Sequence, residues 1–405
     1  MTVQAPTAAP GLEARDWQFL GGFTTLALIS GVTIGLSKVV TQFFALKIGA
    51  TPFQIGLIVA MESIGMVLVT VPAGFIISHF GARRVYAIAS LGPMVVNLTL
   101  AFTSFLGVAS WVSLAASLLL IGLCIPFRIV SMNSTFLANL PRVGVSKAGW
   151  YRAALTGGLS LLGPALANLL VPHIAYGWNF VIIAVLFGLM GFGSLFFFGD
   201  EAPPQTAALT PGHILTTARQ LLRNRDVSES CLLEFTSSAT GSLFSAFIIV
   251  TAGTITGLTR ADGVSIMLFQ GATAVIMLFV AGGLTRRLDK WHGYAIGLIS
   301  ATVALGLLGT VKSVWLLGLG AIFLSAGSAI VHLINMRLLS RHPGEKSQIS
   351  GLYNLASMSG SVFGAITGGL MTRVTTVQNI YLLWLPLLWL AAAGLFVISR
   401  KKVTV

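Results

Sequence analysis

Long apolar runs recur along the chain from Trp17 to about Ile398. Each is close to the roughly 20 predominantly apolar residues that a helix needs to cross a bilayer. The runs do not alternate with period two, as the strands of a transmembrane β-barrel would. Composition closes the remaining exit. Charged residues make up 9% of the chain, against about 25% in soluble domains, too few to build a water-facing surface. The expected fold class is all-α and integral to the membrane, with the lipid bilayer as a partner. The runs give twelve spans. They lie at 17–46, 53–77, 85–106, 109–137, 148–172 and 177–198, then at 228–255, 262–284, 293–311, 314–340, 347–372 and 379–398.

The stretch Met1–Asp16 has no basic leader region, and the run behind it is too long for a signal peptide. Residues 1–16 therefore read as a cytoplasmic tail, and the first span as retained. Two six-helix halves follow, at 17–198 and 228–398. A cytoplasmic linker, 199–227, joins them, and 399–405 form a second tail. The linker opens with the turn-rich GDEAPPQTAALTPGH. It continues ILTTARQLLRNR, with Ile214, Leu215, Ala218, Leu221 and Leu222 on one helical face. That pattern fits a short amphipathic helix on the membrane surface or a plain linker helix.

The net charge is +13, from 24 Lys and Arg against 11 Asp and Glu. A basic balance can mark nucleic-acid binding, but these charges sit in short loops between apolar runs, so no nucleic-acid partner is expected. With the N-terminus inside, sixteen basic residues face inward, among them Arg83, Arg84, Arg286, Arg287 and Lys290. Only Lys47, Arg260, Lys312 and Arg373 face outward. This bias puts both termini in the cytoplasm and the chain in the inner cell membrane. Cys124 and Cys231 fall inside apolar runs and read as small buried hydrophobes, without a disulfide or metal framework.

The two halves echo each other. Gly149, Tyr151 and Gly158 near the start of span five match Gly351, Tyr353 and Gly360 in span eleven, at a displacement of roughly 200 residues. Gly74 and Gly282 stand near the inner ends of spans two and eight, and each precedes a basic loop. The shared order favours duplication, and parallel halves about an axis along the membrane normal are a known transporter plan.

The loop after span two reads Gly74-Phe75-Ile76-Ile77-Ser78-His79-Phe80-Gly81-Ala82-Arg83-Arg84. It resembles the signature of the major facilitator superfamily, Gly-x-x-x-Asp-(Arg/Lys)-x-Gly-x-(Arg/Lys)-(Arg/Lys). Gly74, Gly81, Arg83 and Arg84 match, while Ser78 replaces the acid and His79 the base. The entry to span two, Gly49-Ala-Thr-Pro-Phe-Gln-Ile-Gly56, is also similar to the family's. The resemblance covers nearly the whole chain and implies two pseudo-symmetric six-helix bundles. It implies a gate role for Gly74, Ser78, Gly81, Arg83 and Arg84. Ser78 cannot supply the acid's charge, and Asp289 lies three positions too late to do so in the second half. Gly158, Gly163 and Pro164 faintly resemble the glycine–proline motif of the family's drug/proton antiporters, with the spacing off by one; close helix packing through small residues explains them better.

Charge within a span costs at least a few kcal/mol and needs a reason. At helical spacing Ser30, Thr33, Ser37 and Thr41 form a polar stripe in span one, flanked by Lys38 and Gln42. Span four carries Arg128, Ser131, Thr135 and Asn139. Span seven carries Glu234, Ser237, Ser238, Gly241 and Ser245, and span ten Ser325, Ser328, His332 and Asn335. These are the first and fourth helices of each half, which line the central cavity in the family fold. Candidate substrate-binding residues are Ser37, Lys38, Arg128, Ser131, Glu234, Ser238, His332 and Asn335. Each has a structural alternative, since Ser and Thr can bond their own helix, Lys38 can snorkel, and Arg128 can pair with Glu62 or Glu234. Candidate proton carriers are Glu62, an isolated mid-span carboxylate, and Glu234. Arg152 and Arg337 read as gate or anchoring residues.

No Gly-x4-Gly-Lys-(Ser/Thr) loop and no His-Glu-x-x-His motif occurs, so neither a cofactor nor a metal is expected. The residues within spans sum to a positive charge. The leading expectation is a monomeric secondary active transporter, proton-coupled and working by alternating access. Its substrate is a small organic anion or zwitterionic metabolite. A drug or metabolite efflux antiporter is the alternative. An integral-membrane transferase is disfavoured because no acidic pair lies within a span.

Overall fold

The computed structural model describes residues 14–143, 148–198, 219–341 and 346–400. Twelve helical rods cover them. The first six are α1 Ala14–Lys47, α2 Pro52–Phe80, α3 Ala82–Leu106, α4 Trp111–Val143, α5 and α6 Tyr176–Phe197. Here α5 is one rod that runs from Ala148–Gly157 through a π turn, Gly158–Leu162, into Gly163–Leu170. The second six are α7 Arg225–Thr254, α8 Arg260–Arg287, α9 Lys290–Thr310, α10 Val314–Arg341, α11 Lys346–Met371 and α12 Ile380–Arg400. Ten are long and apolar enough to cross a membrane. The serine- and glycine-rich α11 falls short of that mark, as does α8, whose last turns are described only in part. Residues 214–218 of the amphipathic stretch expected at 214–225 lie outside the described residues; Arg219–Leu221 are helical, and α7 begins slightly before the expected span.

Local chemistry starts and stops these helices where the apolar periodicity does. Thr51 and Gln54 form a reciprocal capping box, with Pro52 as the first helical residue of α2. Thr259 and Asp262 do the same for α8. Such caps satisfy orphan backbone donors that would otherwise face lipid headgroups. Gly81 ends α2 at φ +87°, a conformation that is strained for other residues. That explains Gly81 of the loop motif, while the surroundings of Gly74 and Ser78 lie outside the described set. Arg83 is half-buried and Arg84 exposed. Asp289, the residue too late to complete a second motif, caps α9 by accepting the backbone N–H of Trp291.

Lipid-facing surfaces are apolar. Ile88, Val95 and Phe102 on α3, and Leu189, Phe192 and Phe196 on α6, are all exposed. Within each half, small residues let backbones touch, as where α1 meets α5 through Gly31, Gly35 and Gly158. The halves meet along α2 with α11 and α5 with α8. The tightest point is Gly271 on α8, where an added Cβ would stand 1.8 Å from the Ser160 carbonyl oxygen in the π turn. At the end remote from the chain termini the halves are bolted. The Arg373 guanidinium lies 3.8 Å from the centre of the Phe53 ring, and Gln42 Nε2 donates to the Ser245 carbonyl at 3.0 Å.

Near the termini a charged cluster ties the second half together. Arg225 pairs with Glu229 at 2.8 Å. Lys290 reaches Asp226 at 2.8 Å and also contacts Glu229. Arg337 donates to the Leu288 carbonyl at 3.1 Å. This places Arg337 as an anchor of the loop between α8 and α9.

Candidate functional site

A polar cavity of about 310 Å³ lies between the halves. Its walls come from α7, α8 and α10, with Thr156 of α5 from the first half. Glu234 and Ser238 sit one helical turn apart on α7, and Ser325, Ser328 and His332 share the facing side of α10. The sequence stripes on α7 and α10 thus converge on one space, because residues at this spacing fall on one helical face.

Glu234 is the centre of the cluster. One carboxylate oxygen faces His332 Nδ1 at 3.4 Å and accepts the Tyr353 hydroxyl of α11 in a short contact. Tyr353 Oη also lies 3.0 Å from His332 Nδ1. The other carboxylate oxygen is 3.5 Å from Ser238 Oγ, which bonds Ser357 Oγ of α11 at 2.7 Å. A carboxylate, an imidazole and a phenol from three helices therefore share a single hydrogen-bonded group. All are proton-exchanging side chains, and Glu and His are those found in membrane proton relays. Tyr353 was visible in the sequence only as a repeat marker, and Ser357 carried no signal. What sets them apart is register: both lie on the α11 face turned toward Glu234, which single-helix periodicity cannot supply.

Other candidates sit elsewhere. Lys38 and Glu62 come together, Nζ to Oε2 at 3.9 Å, with Glu62 buried and Lys38 partly exposed. Ser37 is buried on α1, and Ser131 is wholly buried with no partner for its hydroxyl among the described residues. Asn335 turns into the second half, where its Oδ1 accepts the Tyr294 hydroxyl at 3.0 Å. Arg128 turns into the first half. It is 1% exposed, and its Nη2 donates to Ser30 Oγ at 3.1 Å and Tyr86 Oη at 3.2 Å. Its guanidinium stacks 4.7 Å from the Phe187 ring centre. Arg128 Nε and Nη1 find no partner among the described residues. The pairing of Arg128 with Glu62 or Glu234 is not present, and the charged and titratable groups that line the polar cavity are Glu234 and His332.

Comparison with known proteins follows the same lines. No curated protein matches the chain. Among solved structures it is similar to the nucleoside transporter NupG, at a TM-score of 0.75 and 13% identity, covering 95% of this chain and 100% of that one. It is similar to a bacterial homolog of the human lysosomal transporter Spinster in an inward-facing, unoccupied conformation. That match has a TM-score of 0.73 and 15% identity, over 96% of this chain and 98% of that one. The human organic anion transporter MFSD10 aligns at 0.64 and 16% identity, over 95% and 100%. At such identities these likenesses show the fold. The family model of the Major Facilitator Superfamily matches residues 21–365, so the chain belongs to that superfamily.

Proposed function

We propose that the chain is a proton-coupled secondary transporter for a zwitterionic organic metabolite, with Glu234, His332 and Tyr353 as its proton-handling group. The family supports transport as the function class. One observation carries the rest: a carboxylate in contact with an imidazole and a phenol, facing a cavity between the halves. A substrate ammonium competes with the proton for Glu234, because both neutralise the same carboxylate. The hydroxyls of Ser237, Ser238 and Ser325 are suited to the substrate's own carboxylate. The anion reading weakens, since its charge argument leaned on Arg128, which is engaged inside the first half. The same acidic cavity favours efflux of organic cations in exchange for protons as the second reading. The charge bias of the loops supports an inner-membrane protein with cytoplasmic termini.

The test is uptake by proteoliposomes across a panel of zwitterions, anions and cations, with and without a pH gradient. Glu234→Gln is expected to abolish gradient-driven accumulation and, because it removes the carboxylate that meets the substrate ammonium, to weaken substrate binding and slow substrate-for-substrate exchange as well. Unchanged accumulation in that variant overturns the coupling role. Saturable accumulation of cations alone, moving against the proton, favours the efflux reading.

A further inference from the structure

A second cavity, of about 240 Å³, lies inside the second half between α7, α9, α10 and α12. Its walls are apolar, including Leu298, Ala301, Val331 and Leu395. Exposed Trp291 and Phe396 stand at its rim, so it is a crevice reached from the lipid side. It shares Ser237, Leu324 and Ser328 with the polar cavity. The partition between them includes a hydrogen bond between Ser237 Oγ and Ser328 Oγ, at 2.6 Å. Leu324 of α10 stands beside this pair.

The fold does not require this space. The corresponding place in the first half lies between α1, α3, α4 and α6. It is filled by the Arg128 side chain with Tyr86, Phe187 and Met190 around it. There α3 and α6 close on each other through Gly177, Gly188 and Gly191, whereas α9 and α12 touch over less of their length. An apolar space continuous with a polar one suits one molecule with both characters.

We infer that the crevice receives the hydrocarbon arm of an amphipathic substrate whose charged end sits at the Glu234 cluster. This rests on the transport reading above and narrows its substrate class to zwitterions with an alkyl or similarly apolar arm. The arm reaches the crevice past Ser237 and Ser328 when their hydrogen bond opens.

The test uses the full chain in lipid nanodiscs and a series of zwitterionic N-alkylglycines with arms of about four to ten carbons, since burial favours each methylene. Binding by the wild type is expected to tighten by at least about twofold per added methylene, a deliberately low bound on the transfer value. Ala391→Phe and Ala392→Phe, made separately, fill the crevice from α12. Each is expected to melt at or above the wild-type temperature. Each should gain nothing from longer arms. Retained length dependence in both filled variants overturns the inference, as does its absence in the wild type. Length-dependent binding that survives Glu234→Gln at full strength also overturns it, because the arm then enters alone, as a bilayer lipid would. No binding at any length sinks the zwitterion reading along with the crevice, whereas binding without a length gain sinks the crevice alone.

Discussion

The two halves share one helix plan and diverge at a matching pair of buried positions. The displacement that carries Gly74 onto Gly282 carries Tyr86 onto Tyr294, and one position fewer carries Arg128 onto Asn335. In both halves the tyrosine hydroxyl bonds the polar residue of the fourth helix, Arg128 in one and Asn335 in the other. The long guanidinium reaches across to α1 and α6 and fills its half. Among the described residues the short amide donates to the Ser230 carbonyl of α7, and a crevice lies in the same half. A duplicated scaffold thus keeps a polar pair at each matching place, while Arg128 and its neighbours occupy that place in one half and a crevice lies in the other. The acid–base cluster is also one-sided, since Glu234, His332 and Tyr353 all belong to the second half. On the function proposed above, the proton is handled in the second half.

The strongest way to break this comparison is at Arg128. A buried side chain of that size, cut back to Ala, leaves a cavity and strands the Ser30 and Tyr86 hydroxyls. Arg128→Ala is expected to lose about 2–5 kcal/mol of stability, the range for large-to-small core changes. Arg128→Met keeps much of the stem and removes the charge. Replacing buried ionic groups by apolar ones of similar volume is often neutral or stabilising, so this variant should melt close to the wild type and still transport. Arg128→Met with normal melting but no substrate binding would show instead that the guanidinium serves the ligand.

The carboxylates offer the next contrast. Glu62 is buried and holds Lys38 at 3.9 Å, a fixed positive partner. Glu234 has His332 and Tyr353, partners that can exchange a proton. Both were candidate proton carriers on sequence grounds. Glu62→Gln is expected to slow gradient-driven uptake by a smaller factor than Glu234→Gln does, and to leave its pH profile in place. Initial uptake rates at several pH values decide this. Equal losses, or a pH profile that shifts only in the Glu62 variant, would reverse the assignment.

The sequence revealed unequal parts of this picture. Span positions were legible because apolar runs are long, whereas the caps that bound them, at Thr51, Asn224 and Asp289, emerge only in the structure. Duplication was legible from Gly-x-Tyr and the basic loops. The α7 and α10 stripes were legible because helical periodicity places Glu234 and Ser238, or Ser328 and His332, on one face. What periodicity cannot give is the rotation of that face relative to its neighbours. Arg128 and Asn335 belong to equally polar stripes, yet both turn inward, because the third helix of each half, α3 or α9, presents a tyrosine to it. Tyr353 turns to Glu234 through the packing of α11 on α7, a contact far apart in sequence.

The smallest expected effect sharpens the comparison most directly, because it changes one oxygen in each half. Tyr86 accepts a hydrogen bond from a guanidinium, while Tyr294 donates one to a neutral amide. Hydrogen bonds to charged groups contribute about 1.5–3 kcal/mol, and neutral ones about 0.5–1.5 kcal/mol. Tyr86→Phe is therefore expected to cost more stability than Tyr294→Phe. The difference should widen because Arg128 Nε and Nη1 already lack partners among the described residues, so the loss of the Tyr86 hydroxyl leaves Nη2 with only Ser30 Oγ and Met190 Sδ. Asn335 keeps its bond to the Ser230 carbonyl when Tyr294 loses its hydroxyl. Thermal unfolding of the two variants side by side measures this. A Tyr294→Phe cost equal to or above that of Tyr86→Phe would mean that the charge on Arg128 does not depend on its tyrosine, and the contrast between the halves would then rest on volume alone.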